Sequence, residues 1–141
     1  MSHTKATLKL TYDGAKTALA AAIAKAEEIG VPQNIVIVDD GGHLLAFARM
    51  DGAKLLSIKT CQSKALSAAS HRQPTARLHA ADEVKLAFAS GGKLTNLKGG
   101  LPIILEGVCV GAVGVGSGTG DQDVDVARAA LKALGAEDFP S

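Results

Sequence analysis

The stretch NIVIVDDGGHLLAFAR, Asn34 to Arg49, decides the architecture. Ile35, Val36, Ile37 and Val38 form a β-branched run that fits a pleated strand. Asp39-Asp40-Gly41-Gly42 is turn chemistry, and residues 43–49 return as a second apolar run. Four residues cannot carry a parallel crossover, so the two strands must pair antiparallel as a hairpin.

Working outward, Ala15, Ala18, Leu19, Ala22, Ile23 and Ala26 recur at helical spacing upstream of the hairpin. Thr11 or Asp13 can cap that helix, and Gly30 followed by Pro32 ends it. Downstream, Ile58, Cys61, Ala65, Ala68 and Ala69 share a stripe, which predicts a second helix over about residues 55–70. Residues 75–89 have helical composition without a regular stripe, which predicts one or two short helices. Leu101 to Leu105 reads as a strand whose Pro102 suits an edge or a strand start. Glu106-Gly107 turns the chain into a further strand, Val108 to Val115. A last helix, capped by Thr119 or Asp121, carries Val124, Ala127, Leu131 and Leu134 and stops at Gly135. The order of elements predicts an α+β fold dominated by antiparallel pairs. Residues 8–135 form one domain in this reading, with a flexible segment at 1–7 and a tail at 136–141.

With 141 residues, 47% hydrophobic and 21% charged, the chain has the composition of one globular domain. It has no Trp, one Tyr and three Phe, so the core must be built from small aliphatic side chains. A formal net charge of +1 without a basic cluster argues against a nucleic-acid partner. The opening MSHTKATLKL has no signal-peptide pattern, and no span is long and apolar enough for a membrane helix. The expected location is the cytoplasm. Cys61 and Cys109, each in an apolar or helical context, read as reduced, packed thiols.

The glycine-rich run VGVGSGTGDQD, Val113 to Asp123, raises the question of a phosphate or metal loop. A dinucleotide fingerprint starting at Gly114 requires glycine at position 119, which is Thr119; one starting at Gly116 requires it at 121, which is Asp121. Asp121-x-Asp123-x-Asp125 imitates the start of a calcium loop, but the obligatory sixth-position glycine is Val126. Most of these acids read as the solvated first turn of a helix. Lys64 sits beside an apolar stripe, where an ammonium can act as base, imine former or anion anchor, or can simply snorkel. Arg49 and Asp51 bracket a strand end, with Asp51 able to cap the following helix. Glu106 is most simply a turn residue. His43, His71 and His79 are possible metal or haem ligands without a ligand spacing.

Taken together, Val38 to Ala53 and Glu106 to Asp123, with the helix carrying Ala65 between them, resemble the GlcG/HbpS family, which includes the C-terminal domain of PduO-type proteins. The resemblance covers roughly residues 8–135. It implies a profilin-like α+β sandwich with a five-stranded antiparallel sheet, assembled as a homo-oligomer. Family members are associated with haem, some with corrinoids, iron or redox sensing, and others with glycolate or diol metabolism. The expected function is therefore binding of a small ligand, haem or another tetrapyrrole, with His43, then His71 and His79, as iron ligands. Gly116, Ser117, Gly118, Thr119 and Arg49 are the expected ligand-binding residues. The alternatives are an enzyme acting on a small polar or carboxylated metabolite, with Lys64, Asp51 and Glu106 as catalytic groups, and an accessory or sensor protein.

Overall fold

A computed structural model describes residues 2–141; Met1, the first residue of the segment expected to be flexible, lies outside them. Nine elements follow one another: α1 (Tyr12–Glu28), β1 (Asn34–Asp39), β2 (Leu44–Arg49), α2 (Ser57–His71), a 3-10 turn (Thr75–Arg77), α3 (Glu83–Ala89), β3 (Gly100–Leu105), β4 (Val108–Gly116) and α4 (Gly120–Leu134). The sheet has strand order β2-β1-β4-β3, and each neighbouring pair is antiparallel.

The expected five-stranded sheet is corrected to four. The residue pattern itself contains only four strand segments, and no ladder pairing engages the chain between Thr4 and Leu10 before α1 begins. Leu10 instead turns inward and joins the core. The fold remains α+β.

Both faces of the sheet are covered, which explains why the central strands are apolar without alternation. One face of β1 and β4 carries Ile35, Ile37, Val113 and Val115 against α1 and α4, whose alanines 15, 18, 22, 26, 127 and 130 let the helices lie close. On the other face, Val36, Val38 and Ala112 meet Cys61, Ala65, Ala68 and Ala69 of α2. β2 and β3 form the edges, and Pro102 sits on β3 as its missing donor requires. Close approach of α2 depends on Gly114, where a Cβ would overlap the Cys61 carbonyl oxygen and stand 2.7 Å from the Ala65 nitrogen.

The helix ends follow the local signals. The Thr11 side chain accepts from Gly14 N, and Thr119 forms a capping box with Gln122. Asp51 caps nothing: α2 begins at Ser57 behind Leu56, without a side-chain cap. Residues 136–141 lie along the body, with Phe139 in the core and Asp138 paired to Arg128. Among the described residues no helix is long and apolar enough to cross a membrane.

Candidate functional site

The fold sorts the candidate residues to opposite ends of α2, which at 15 residues is about 22 Å long. At its N-terminal end lie β4's last residue Gly116, the loop behind it, and Arg49, which ends β2 opposite Asn34. Lys64 projects from the buried stripe of α2 toward this end. Its Nζ donates to the Val115 carbonyl at 2.8 Å and pairs with Asp123 Oδ2 at 2.9 Å. The second Asp123 oxygen accepts from Gly118 N at 3.0 Å. Lys64 is 5% exposed and Asp123 2%. Burial pushes the Asp123 carboxyl above its ordinary range, partly offset by the Lys64 charge and the Gly118 amide.

The loop that looked like a cradle is thus a set of internal braces. Ser117 holds a left-handed φ of 97°, and its Oγ accepts from Lys54 N at 2.9 Å. Gly118 holds Asp123, and Thr119 caps α4. Arg49 and Asp51 are exposed nearby. Lys64 is engaged on both its contacts and does not face an open cavity together with them. Glu106 stands in the β3–β4 turn, at the far end of a β4 strand about 27 Å long. Lys64, Asp51 and Glu106 therefore do not converge.

At the C-terminal end of α2 the arrangement differs. A cleft of about 690 Å³ opens between the β1–β2 turn, α2 and the segment after α3. Gly41, Gly42, Leu66, Ser70, His71, Lys93 and Leu94 line it, together with Asp40, whose carboxylate is paired with Lys9 at 2.6 Å. The wall is tied down: Ser67 Oγ donates to Ser63 O at 2.7 Å and accepts from Thr95 N at 2.9 Å, and Ser63 Oγ donates to Gly92 O. His71, the last residue of α2, is exposed into this cleft.

His43 adjoins the cleft at the turn. Its Nδ1 lies 3.1 Å from Asp39 Oδ1, an arrangement that fixes an imidazole tautomer. Burial alone would raise Asp39, but hydrogen bonds from the His43 and Gly41 amides and the charges beside it hold the carboxyl below its ordinary range. His79 is exposed between the 3-10 turn and α3 and does not line the cleft. A larger groove of about 1020 Å³ runs between α1 and α4, but Ala21, Ala24, Ala129 and Ala133 line much of it. Lys25 and Arg128 at its rim are already paired with Glu28 and Asp138, and it holds no imidazole.

The chain matches the family model described as "Haem degrading protein HbpS-like" over residues 10–132. It belongs to the GlcG/HbpS family. Protein GlcG of Escherichia coli K12 is 37% identical over 107 residues, covering 75% of this chain and 80% of GlcG. The crystal structure of Klebsiella pneumoniae protein ORFY superposes with a TM-score of 0.91 at 33% identity, covering 98% of this chain and 99% of ORFY. A PduOC:haem complex superposes with a TM-score of 0.86 at 27% identity, covering 94% and 99%. The GlcG/HbpS sandwich therefore provides the frame on which this cleft is built.

Two residues central to these sites escape the sequence reading. The residue pattern expects most of Asp121, Asp123 and Asp125 to be solvated, as Asp121 and Asp125 are, but does not single out Asp123 as the buried exception. A signal existed: Asp123 shares its helical face with Val126, Ala127 and Ala130, all buried. Lys93 follows Gly91-Gly92 in an irregular segment and offered no such signal.

The thiols behave as the packing dictates. Burial pushes Cys61 up to about 12, and Cys109 is also raised by burial. We expect a thiol reagent such as Ellman's to titrate Cys109 slowly in the native protein and Cys61 only on unfolding. Prompt reaction of both would show that α2 lifts from the sheet.

Proposed function

We propose that the chain binds a tetrapyrrole, haem in the first instance, in the cleft at the C-terminal end of α2. The observation that carries this reading is His71: an imidazole set in the wall of a cleft whose volume falls within the 300–1,000 Å³ of small-molecule sites. The donor set suits the group. His71 would offer an imidazole nitrogen to its iron, and the bound group would supply a redox-active metal. Leu66 and Leu94 offer apolar wall to the macrocycle, while Lys93 and Ser70 offer a cation and a hydroxyl to its carboxylates. Family membership and the PduOC:haem complex support the ligand class.

His71 is the iron ligand in this reading, and His43 stands at the rim. Titration of hemin into the protein should therefore produce a Soret band that His71→Ala abolishes or weakens at least about tenfold, the factor that 1.4 kcal/mol represents. His43→Ala should retain the band. A band lost with His43 and kept without His71 would transfer the ligand role to the turn. No band at micromolar hemin would remove the tetrapyrrole reading. We also take the chain to assemble with copies of itself, a reading supported by β2, an edge strand with Leu44 and Phe47 exposed.

A further inference from the structure

α3 is an anomaly. None of its residues is buried, and among the described residues it has no sustained packing against any other helix or strand. Yet Val84 and Phe88, four residues apart and therefore on one face, are 65% and 84% exposed. A surface helix ordinarily turns such a stripe inward, and Phe88 is one of only three phenylalanines in the chain. The helix runs directly into the cleft: its C-cap Ser90 lines it, as do Lys93 and Leu94. Between them stand Gly91 and Gly92, with φ of 67° and 81°; their amides close the end of α3 on Phe88 O and Ala87 O, and the Gly92 carbonyl accepts from Ser63 Oγ at 3.2 Å, a tie to α2 that a swing of α3 about this joint must break.

We infer that α3 is the second wall of the ligand site, and that Val84 and Phe88 fold down about the Gly91-Gly92 joint onto the face of a bound planar, apolar macrocycle. This rests on the cleft reading above. The observed cleft offers Leu66 of α2 and Leu94 of the segment after α3, and no Phe, Tyr or Trp ring. α3 holds an aromatic ring with nothing to cover it, one turn of chain away. Ring stacking on such a ligand gives affinity through burial and ring contact, and Phe88 acts as a specificity residue for flat ligands over extended ones.

The test uses the full chain with two probes, hemin and metal-free protoporphyrin IX, and the variants Phe88→Ser and His71→Ala. Phe88 is exposed, so its replacement should leave the far-ultraviolet circular dichroism unchanged. Phe88→Ser should weaken both porphyrins by roughly tenfold, whereas His71→Ala should weaken hemin alone. Trypsin cleavage after Lys85, which is exposed on α3, should slow with either porphyrin in the wild-type chain and stay fast in Phe88→Ser. If hemin binds through His71 while Phe88→Ser binds equally and Lys85 stays open, α3 is no wall and only the cleft reading survives. If neither porphyrin binds, the cleft reading falls and this one with it. Protection of Lys85 that rises with protein concentration in the absence of porphyrin would assign the stripe to a second copy of the chain, and would also overturn it.

Discussion

Lys64→Met lowers the unfolding free energy by about 3–5 kcal/mol, the cost of leaving one member of a buried ion pair alone. The magnitude follows from the geometry. Asp123 is 2% exposed and cannot reach water when its partner at 2.9 Å is removed. Val115 O loses its Lys64 donor as well, and an orphaned buried acceptor costs about 1–3 kcal/mol. For a chain of this size the melting temperature should fall by roughly 6–20 °C.

The double variant Lys64→Met/Asp123→Asn identifies the cause. Asparagine keeps an oxygen for the Gly118 amide and carries no charge, so the double variant should be more stable than Lys64→Met alone by about 2 kcal/mol, although it has lost more of the native pair. The dependence on pH gives an independent sign. Burial raises Asp123 in the folded state and the Lys64 charge opposes that rise. Without Lys64 the folded carboxyl is raised further, so the folded chain takes up a proton at a pH where the unfolded chain does not. The deficit of Lys64→Met should therefore narrow as pH falls from neutrality through the variant's raised folded value to the less raised value of the wild-type chain, and remain constant above that window. A deficit below about 1 kcal/mol by urea denaturation, in the range of an exposed pair, would mean that the pair is open to solvent.

This pair also marks the limit of what the residue pattern reveals. Period and punctuation place α1, α2, α4 and the four strands, because each is an amphipathic or β-branched run bounded by Gly, Pro or a capping hydroxyl. Lys64 and Asp123 break two of those runs, each standing on an apolar helical face. Opposite charges on two faces that must both be buried predict one another, yet the two are 59 residues apart, and only the antiparallel order β1-β4 brings their helices to one strand end. The same topology explains why the candidate site was legible in parts and not as a whole. His43 and His71 are 28 positions apart and lie toward one end of α2, His71 in the cleft and His43 in the turn beside it, whereas Arg49, Asp51 and Ser117 are at the other. A motif contiguous in sequence, Phe47 to Ala53, leads away from the cleft, because β2 runs antiparallel to β1 from the His43 turn toward the Gly116 end.

The second large effect is expected where α2 packs on β4, at Gly114. Gly114→Ala should destabilise the chain by about 3 kcal/mol, at the upper end of the range for overpacking, and Gly114→Val should prevent native folding. At most crowded positions a new methyl is accommodated by rotating a neighbouring side chain. Here the obstruction is main chain: the Cβ would overlap the Cys61 carbonyl oxygen and stand 2.7 Å from Ala65 N, with the Ala65 Cβ at 2.9 Å. β4 cannot retreat, since Gly114 pairs with Val36 on one side and Gly100 on the other. α2 would have to move, and its C-terminal end carries His71, Leu66 and Ser70 into the cleft. Gly114→Ala should thus weaken hemin binding in the fraction that remains folded, though the substitution lies on a central strand. Ala65→Gly offers the decisive control. It removes the one side-chain atom in the way and leaves the Cys61 carbonyl, so Gly114→Ala/Ala65→Gly should regain little of the lost stability. Full recovery in that double variant would mean that side-chain crowding, rather than the backbone contact of α2 on β4, sets the spacing of helix and sheet on which the cleft depends.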